Sequence, residues 1–156
     1  MVSFLKLLFS VVFCEAAGIL GSVFTVPAIP TWYASLKKPS FSPPNWLFGP
    51  VWTLLYALMG ISAYLIWTQG IEKQAVRNAL FLFVLQLVLN ILWSFFFFKL
   101  QSPFHALIEI IFLWFLILVM ILSFYRISKI AGLILIPYLL WVSFAALLNF
   151  SIVKLN

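Results

Sequence analysis

Long apolar runs alternate with short polar breaks along the whole chain. A helix crosses the hydrocarbon core of a bilayer with about 20 apolar residues. Five runs are long enough, at residues 4–26, 46–68, 79–98, 103–125 and 130–153. None of them shows the strict two-residue alternation of a membrane β-barrel strand. The pattern therefore predicts one domain, residues 1–156, folded as an all-α integral membrane bundle of five transmembrane helices.

The first polar break is by far the longest, and it is dense in proline. It reads VPAIPTWYASLKKPSFSPP, and proline can neither donate a helix hydrogen bond nor follow a helical residue easily. We therefore expect the first helix to end near residue 26 and a stiff loop to reach residue 44. Because this loop leads into Trp46 and Trp52, we interpret it as a lid, which either closes on a ligand or merely seals the bundle.

Composition strengthens the membrane prediction and excludes several other classes. Hydrophobic residues make up 66% of the chain and charged residues 8%, whereas soluble domains carry about 25% charged residues. The net charge of +6 comes from scattered bases, which argues against a nucleic-acid partner. Five of the nine bases fall on one side of the predicted bundle and four on the other, so they do not orient it. We expect a multi-pass membrane protein, in the plasma membrane if the host is bacterial.

Ionisable residues inside the predicted spans are candidates for function because hydrocarbon penalises them. Glu15 shares one face of the first helix with Gly18, Ser22 and Thr25, and this face either packs against a neighbouring helix or lines a cavity. In the fourth helix, His105 and Glu109 are four residues apart and suit either an interhelical hydrogen bond or a proton relay. Two ligands do not make a metal site, so we predict none.

Three helices carry aromatic faces that include a tryptophan. Their members are Phe48, Trp52 and Tyr56 in the second helix, Gln86, Asn90 and Trp93 in the third, and Tyr138, Trp141, Ala145 and Leu148 in the fifth. Such faces serve either core packing or a ligand site. Their convergence, with polar groups beside them, is typical of a pocket for a flat, largely apolar ligand. Pro137, near the start of the last face, predicts a kink.

Three stretches of the sequence resemble one known family. They are WYASLKKPSFSPPNWLFGPVWTLLY at residues 32–56, QLVLNILWSFFFF in the third helix and PYLLWVSFAALLNF in the fifth. Together they resemble the translocator proteins, also called tryptophan-rich sensory proteins or peripheral benzodiazepine receptors. The resemblance extends from residue 18 to residue 154.

This resemblance implies a five-helix bundle, often a homodimer, whose first loop covers a pocket for porphyrins such as protoporphyrin IX, for haem, or for benzodiazepine-type ligands. It implies a pocket lined by Ser22, Trp52, Gln86, Asn90, Trp93, Trp141, Ala145 and Leu148, under a lid shaped by Trp32, Pro43, Pro44 and Trp46. Trp52 and Trp141 match the tryptophans implicated in porphyrin chemistry. The resemblance does not favour a sterol partner, because Phe150 stands where the sterol motif has a tyrosine.

Our leading hypothesis is therefore that the protein binds porphyrins or similar flat hydrophobic ligands and has no obligatory cofactor. Such binding would serve tetrapyrrole sensing, transport or stress regulation. Lys37 or Lys38 would attract the porphyrin propionates. A light-dependent porphyrin-degrading enzyme using Trp52 and Trp141 is an alternative of a different class. A small transporter is another, although no internal repeat supports it.

Overall fold

Six α-helices form the five predicted spans in the computed structural model, which describes residues 2–156. They are α1 (Val2–Ala28), α2 (Asn45–Trp67), α3 (Gln74–Ser94), α4 (Pro103–Ile127), α5 (Lys129–Ile134) and α6 (Ile136–Leu155). The helices long and apolar enough to cross a membrane number five, with α5 and α6 together making the last. The predicted all-α membrane fold is thus confirmed. The last span is interrupted at Leu135, two residues before Pro137, as expected for a proline that loosens the helix before it.

The first helix is longer than the sequence predicts. α1 contains Pro27 and passes directly into a π-helical turn, Ile29–Tyr33, that contains a second proline, Pro30. The predicted end near residue 26 is therefore wrong. A π-turn shifts the backbone hydrogen-bond register and so accommodates a residue with no N–H group. Thr31 assists by donating its hydroxyl to the carbonyl of Pro27 at 3.0 Å.

Only residues 36–44 of the first connection are non-helical. This segment, which we call the first loop, is fastened to the end of α6. Asn156 accepts a hydrogen bond from the backbone N–H of Lys37 at 3.0 Å and donates one to its carbonyl at 2.9 Å. Phe41 packs its ring edge against Phe144, with centroids 6.2 Å apart. The role of the first loop as a lid stays a prediction.

Helix packing places the dense core at the end of the bundle remote from the first loop. There α1 approaches α2 so closely that a Cβ atom on Gly60 would lie 2.5 Å from the Cα atom of Val11. Ser62 of α2 donates its hydroxyl to the carbonyl of Ala131 in α5 at 2.7 Å. On the outside, large apolar side chains such as Phe4, Phe81 and Phe112 are about two-thirds exposed. Such a surface suits lipid and would be unfavourable in water.

Candidate functional site

A cavity of about 500 Å³ lies among α1, α2, α3 and α6. Its lining covers residues 15–33 of the first span, 45–56 of the second, 90–98 of the third and 141–152 of the last. The first, third and last spans run toward the first loop, and α2 starts beside it. The cavity therefore occupies the half of the bundle next to the first loop. Its volume is within the usual range for sites of small ligands.

The deepest lining residues form a layer across the middle of the bundle, which we call the floor: Glu15, Tyr56, Asn90 and Trp141. Tyr56 donates its hydroxyl to Asn90 Oδ1 at 2.9 Å and so joins α2 to α3. The ring of Tyr56 packs against the backbone of α1 at Gly18, where an added Cβ would lie 2.7 Å from the ring. Gly18 thus serves helix packing and lines the cavity as well.

The structure brings most of the predicted pocket residues together on the cavity wall. They come from four helices and are Ser22, Trp46, Phe48, Trp52, Tyr56, Asn90, Trp93, Trp141, Ala145 and Leu148. Trp52 packs against Tyr56, with ring centroids 5.6 Å apart, and Trp141 packs against Phe48, with ring centroids 6.2 Å apart. The aromatic faces of three helices therefore share one space, as their spacing indicates.

Gln86 and Tyr138 depart from the expected lining because both are completely buried beneath the floor. Asn90 donates to the hydroxyl of Tyr138 at 2.7 Å, and this hydroxyl donates to Gln86 Oε1 at 2.7 Å. Gln86 in turn donates to the sulfur of Met59 at 3.7 Å. These bonds extend the Tyr56–Asn90 pair into a buried network that links α2, α3 and α6. The network fixes the orientation of the Asn90 amide at the floor.

The predicted lid residues are divided between two places. Trp46, at the start of α2, lines the cavity mouth and is 72% exposed. Trp32 instead packs on the rings of Phe97 and Phe98, with centroids 5.4 and 6.5 Å away. Pro43 and Pro44 are the last two residues of the first loop, and neither of them lines the cavity.

The two lysines near the mouth do not face the cavity either. Lys38 donates its ammonium group to the carbonyls of Tyr33 and Leu36, at 2.7 and 3.2 Å. The backbone of Lys37 is held by Asn156, and its side chain is exposed. Neither lysine is among the lining residues. Any attraction of ligand carboxylates by these bases would act from outside the mouth.

Several lining residues have no counterpart in the sequence-based prediction. They are Tyr33, Asn45, Thr53, Phe97, Phe98, Phe144, Asn149 and Ile152, among others. Phe144 lies one turn after Trp141, so helical spacing alone is a usable signal for it. Phe97 and Phe98 lie in a π-helical turn, Phe95–Lys99, that shifts their direction. No local pattern in a run of four phenylalanines identifies such a turn.

Among residues 2–156, His105 and Glu109 of the fourth helix form neither the interhelical hydrogen bond that their position suits nor a hydrogen bond to each other. His105 is exposed, and its Nδ1 atom lies 2.6 Å from the hydroxyl oxygen of Ser102. Glu109 is 8% exposed, and within residues 2–156 neither of its carboxyl oxygens has a hydrogen-bond partner. Neither residue lines the cavity. No group of three or more metal-ligating side chains occurs in the part of the chain that the structure describes.

Comparison with known proteins gives consistent matches over almost the whole chain. The TspO/MBR family model matches residues 10–155. A tryptophan-rich protein TspO of Chlorobaculum tepidum is 47% identical over 143 residues, covering 92% of this chain and 90% of that protein. One from Archaeoglobus fulgidus is 48% identical over 152 residues, 97% of each chain. The human translocator protein is 37% identical over 127 residues, covering 80% of this chain and 75% of that protein.

Proposed function

The chain belongs to the TspO/MBR family of multi-pass membrane proteins, and from this premise we propose that it binds porphyrins and similar flat hydrophobic ligands. Protoporphyrin IX and haem are the ligands we propose first. The observation that carries the proposal is the cavity, which holds Trp46, Trp52, Trp93 and Trp141 on its walls. The names of relatives include sensory protein and translocator protein. Ligand binding is a step that sensing, transport and degradation would share.

The shape and rigidity of the walls support a flat ligand. Aromatic faces stack favourably on other π-systems. Trp52 is held by the rings of Tyr56 and Tyr138, at centroid distances of 5.6 and 6.4 Å. Trp93 donates its indole N–H to Asn149 at 3.1 Å, and Asn149 donates to the carbonyl of Pro103 at 2.8 Å. Side chains that are already fixed lose little entropy when a ligand binds.

A direct test is a titration of the protein in lipid nanodiscs with protoporphyrin IX, followed by quenching of tryptophan fluorescence. We expect Trp141→Phe to raise the dissociation constant about tenfold, because a wall that stacks on the ligand is made smaller. The matched control is Trp67→Phe. Trp67 lies near the other end of α2 against Phe9, outside the cavity.

The dissociation constant, and not the amplitude of quenching, is the quantity to compare, since either substitution removes one emitter. Equal dissociation constants in the wild type and both variants would place the ligand elsewhere. Absence of saturable quenching in the wild type would refute porphyrin binding altogether.

A second candidate function, light-dependent degradation of the bound porphyrin, is favoured by one observation: Trp52 and Trp141 both line the same cavity. In such a reaction light excites the porphyrin and dissolved oxygen oxidises it, so the chain supplies the binding surface and the two indoles. The test is loss of the Soret band under illumination in air at saturating porphyrin. We expect a slower loss in the double variant Trp52→Phe, Trp141→Phe, and an unchanged rate would reject this function.

A further inference from the structure

Three hydroxyl groups on the cavity wall, from α1 and α2, donate to backbone carbonyls of their own helices and thereby present lone pairs to a ligand. Ser22 donates its single proton to the carbonyl of Ile19 at 2.7 Å. Thr25 donates to the carbonyl of Gly21 at 3.1 Å, and Thr53 donates to that of Gly49 at 2.9 Å. A hydroxyl group has one proton and two lone pairs. Each of these lining residues therefore offers a ligand lone pairs and no donor.

Two further donors on the cavity wall are also engaged within the protein. The hydroxyl of Tyr56 donates to Asn90 at the floor, and the indole N–H of Trp93 donates to Asn149. At these positions the wall is consequently richer in acceptors than its residue types suggest, whereas the indoles of Trp46, Trp52 and Trp141 keep donors on the wall. A ligand edge that lies against α1 gains most if it carries hydrogen-bond donors.

Glu15 adds a carboxyl group to this acceptor-rich wall. It is half-buried on the floor, whereas its neighbour Cys14 is completely buried in the core. No lysine, arginine or histidine is among the lining residues in the described chain, residues 2–156. Lys6, the basic residue of α1, is nine residues away from Glu15, which is about 13 Å along a helix. Its ammonium group lies over the ring of Trp67 at 5.1 Å.

From these contacts we propose that the cavity selects, among flat hydrophobic ligands, those that carry a basic nitrogen. The ligand's ammonium group lies on the floor against the carboxylate of Glu15, and its ring system lies between Trp52 and Trp141. A carboxylate surrounded by apolar walls favours a cation strongly, because water does not screen the pair well. This inference rests on the proposed binding function and names the ligand chemistry of the same cavity.

The same charge also determines how a ligand with carboxylates would be oriented. Like charges at short range are unfavourable in a medium of low polarity. A porphyrin would therefore keep its propionates at the mouth, where Trp46 is exposed, and present its uncharged edge to Glu15. A basic ligand would enter in the opposite sense, with its charged end inward.

The experiment compares two probes of equal shape, 1-pyrenemethylamine and 1-pyrenemethanol, by energy transfer from tryptophan in nanodiscs of neutral lipid. Empty nanodiscs correct for partitioning into the lipid. We expect the wild type to bind the amine about tenfold more tightly than the alcohol, the effect of one charge-assisted pair. Glu15→Gln lowers the affinity for the amine about tenfold and so removes this preference. The matched control is Glu72→Gln, which removes the same charge from an exposed turn outside the cavity.

Each other outcome is decisive. An amine preference that survives Glu15→Gln, or equal affinities for both probes in the wild type, overturns this inference while porphyrin binding stands. If the wild type binds neither pyrene nor protoporphyrin IX, the proposed function fails and this inference fails with it. Should Glu15→Gln not fold, Glu15→Ser provides a second neutral variant, and the ratio in the wild type is already a test.

Discussion

The two halves of the bundle, on either side of the floor, are both apolar but are packed in opposite ways. The half remote from the first loop is filled by side chains with no exposed surface, among them Met59, Ile66, Ile117, Met120 and Phe124. The half next to the first loop encloses a cavity of about 500 Å³. Hydrophobicity alone therefore does not decide whether such a bundle is solid or hollow.

The difference follows from the size of the residues at the helix interfaces. In the solid half, Gly60 lets α2 touch the backbone of α1 at Val11. In the hollow half, the bulky side chains of Trp52, Trp93 and Trp141 line a cavity instead of filling it. Lipid is as apolar as the helices themselves, so no hydrophobic force closes the gap, and close packing of small residues is needed to bring helices together.

The largest loss of stability is expected when a single methyl group is added at the close contact between α1 and α2. In Gly60→Ala the new Cβ would lie 2.5 Å from a backbone atom of α1, which cannot move aside without shifting the helix. We expect a loss of stability of about 3 kcal/mol, at the upper end of the cost of overpacking. The loss of stability is measured by thermal denaturation in detergent, with gel filtration as the readout of folded protein.

Gly49→Ala is the matched control for that substitution in the hollow half. Gly49 also lies in α2, but a Cβ there meets nothing within 4 Å. Alanine has the higher helix propensity, but it would precede Pro50, whose ring disfavours a helical residue with a Cβ before it. Because the two effects oppose each other, we expect a change in stability within about 1 kcal/mol, well below that of Gly60→Ala. If both substitutions destabilise the protein equally, the contrast in packing between the halves is wrong.

A smaller effect is expected from cutting the network beneath the floor. Tyr138→Phe leaves Asn90 Nδ2 and Gln86 Oε1 without their shared partner in a dry interior. Unsatisfied buried groups cost about 1–3 kcal/mol, and the freed Asn90 amide should also weaken protoporphyrin IX binding. Denaturation and the fluorescence titration measure the two effects. Tyr64→Phe, whose hydroxyl bonds to Ser3 at an exposed site, should change neither quantity.

The smallest effect is expected at the attachment of the first loop to α6. Asn156→Ala removes both side-chain hydrogen bonds to the backbone of Lys37. Because the position is exposed, we expect the loss of stability to be only about 1 kcal/mol. Hydrogen exchange should then become faster at residues 36–44 and stay unchanged in the solid half. Asn78→Ala, which removes an exposed bond to Gln74 on the other side of the bundle, is the control. Unchanged exchange in the first loop would mean that other contacts hold it.

Helical periodicity in the sequence predicts the direction of a side chain well but not its depth. Asn90 and Gln86 lie one turn apart on one face, as do Trp141 and Tyr138. In each pair the first residue lines the cavity and the second is buried beneath the floor. The spacing of 3.6 residues fixes the shared direction. Where a cavity stops along the helix depends on side chains from other helices.

Local rules also failed where the backbone left regular geometry. Pro27 and Pro30 indicate a loop by their lack of N–H groups, yet the chain stays helical at both, within α1 at Pro27 and in a π-helical turn at Pro30. His105 and Glu109 have the spacing of a pair, but the first faces outward and binds Ser102 while the second is buried. Four-residue spacing permits a contact and does not require one, because each side chain follows its own best partner.

The sequence by itself determined the family, the five spans and the three tryptophan-bearing helix faces. The spans and the faces depend on the transfer of apolar side chains into lipid and on helix periodicity, both of which act within a short stretch of chain. Only the tertiary structure decided that these faces share one cavity with Glu15, that Gln86 and Tyr138 lie buried beneath its floor, and that Gly60 closes one half. Those outcomes depend on how four helices are rotated and spaced against one another, which no single helix encodes.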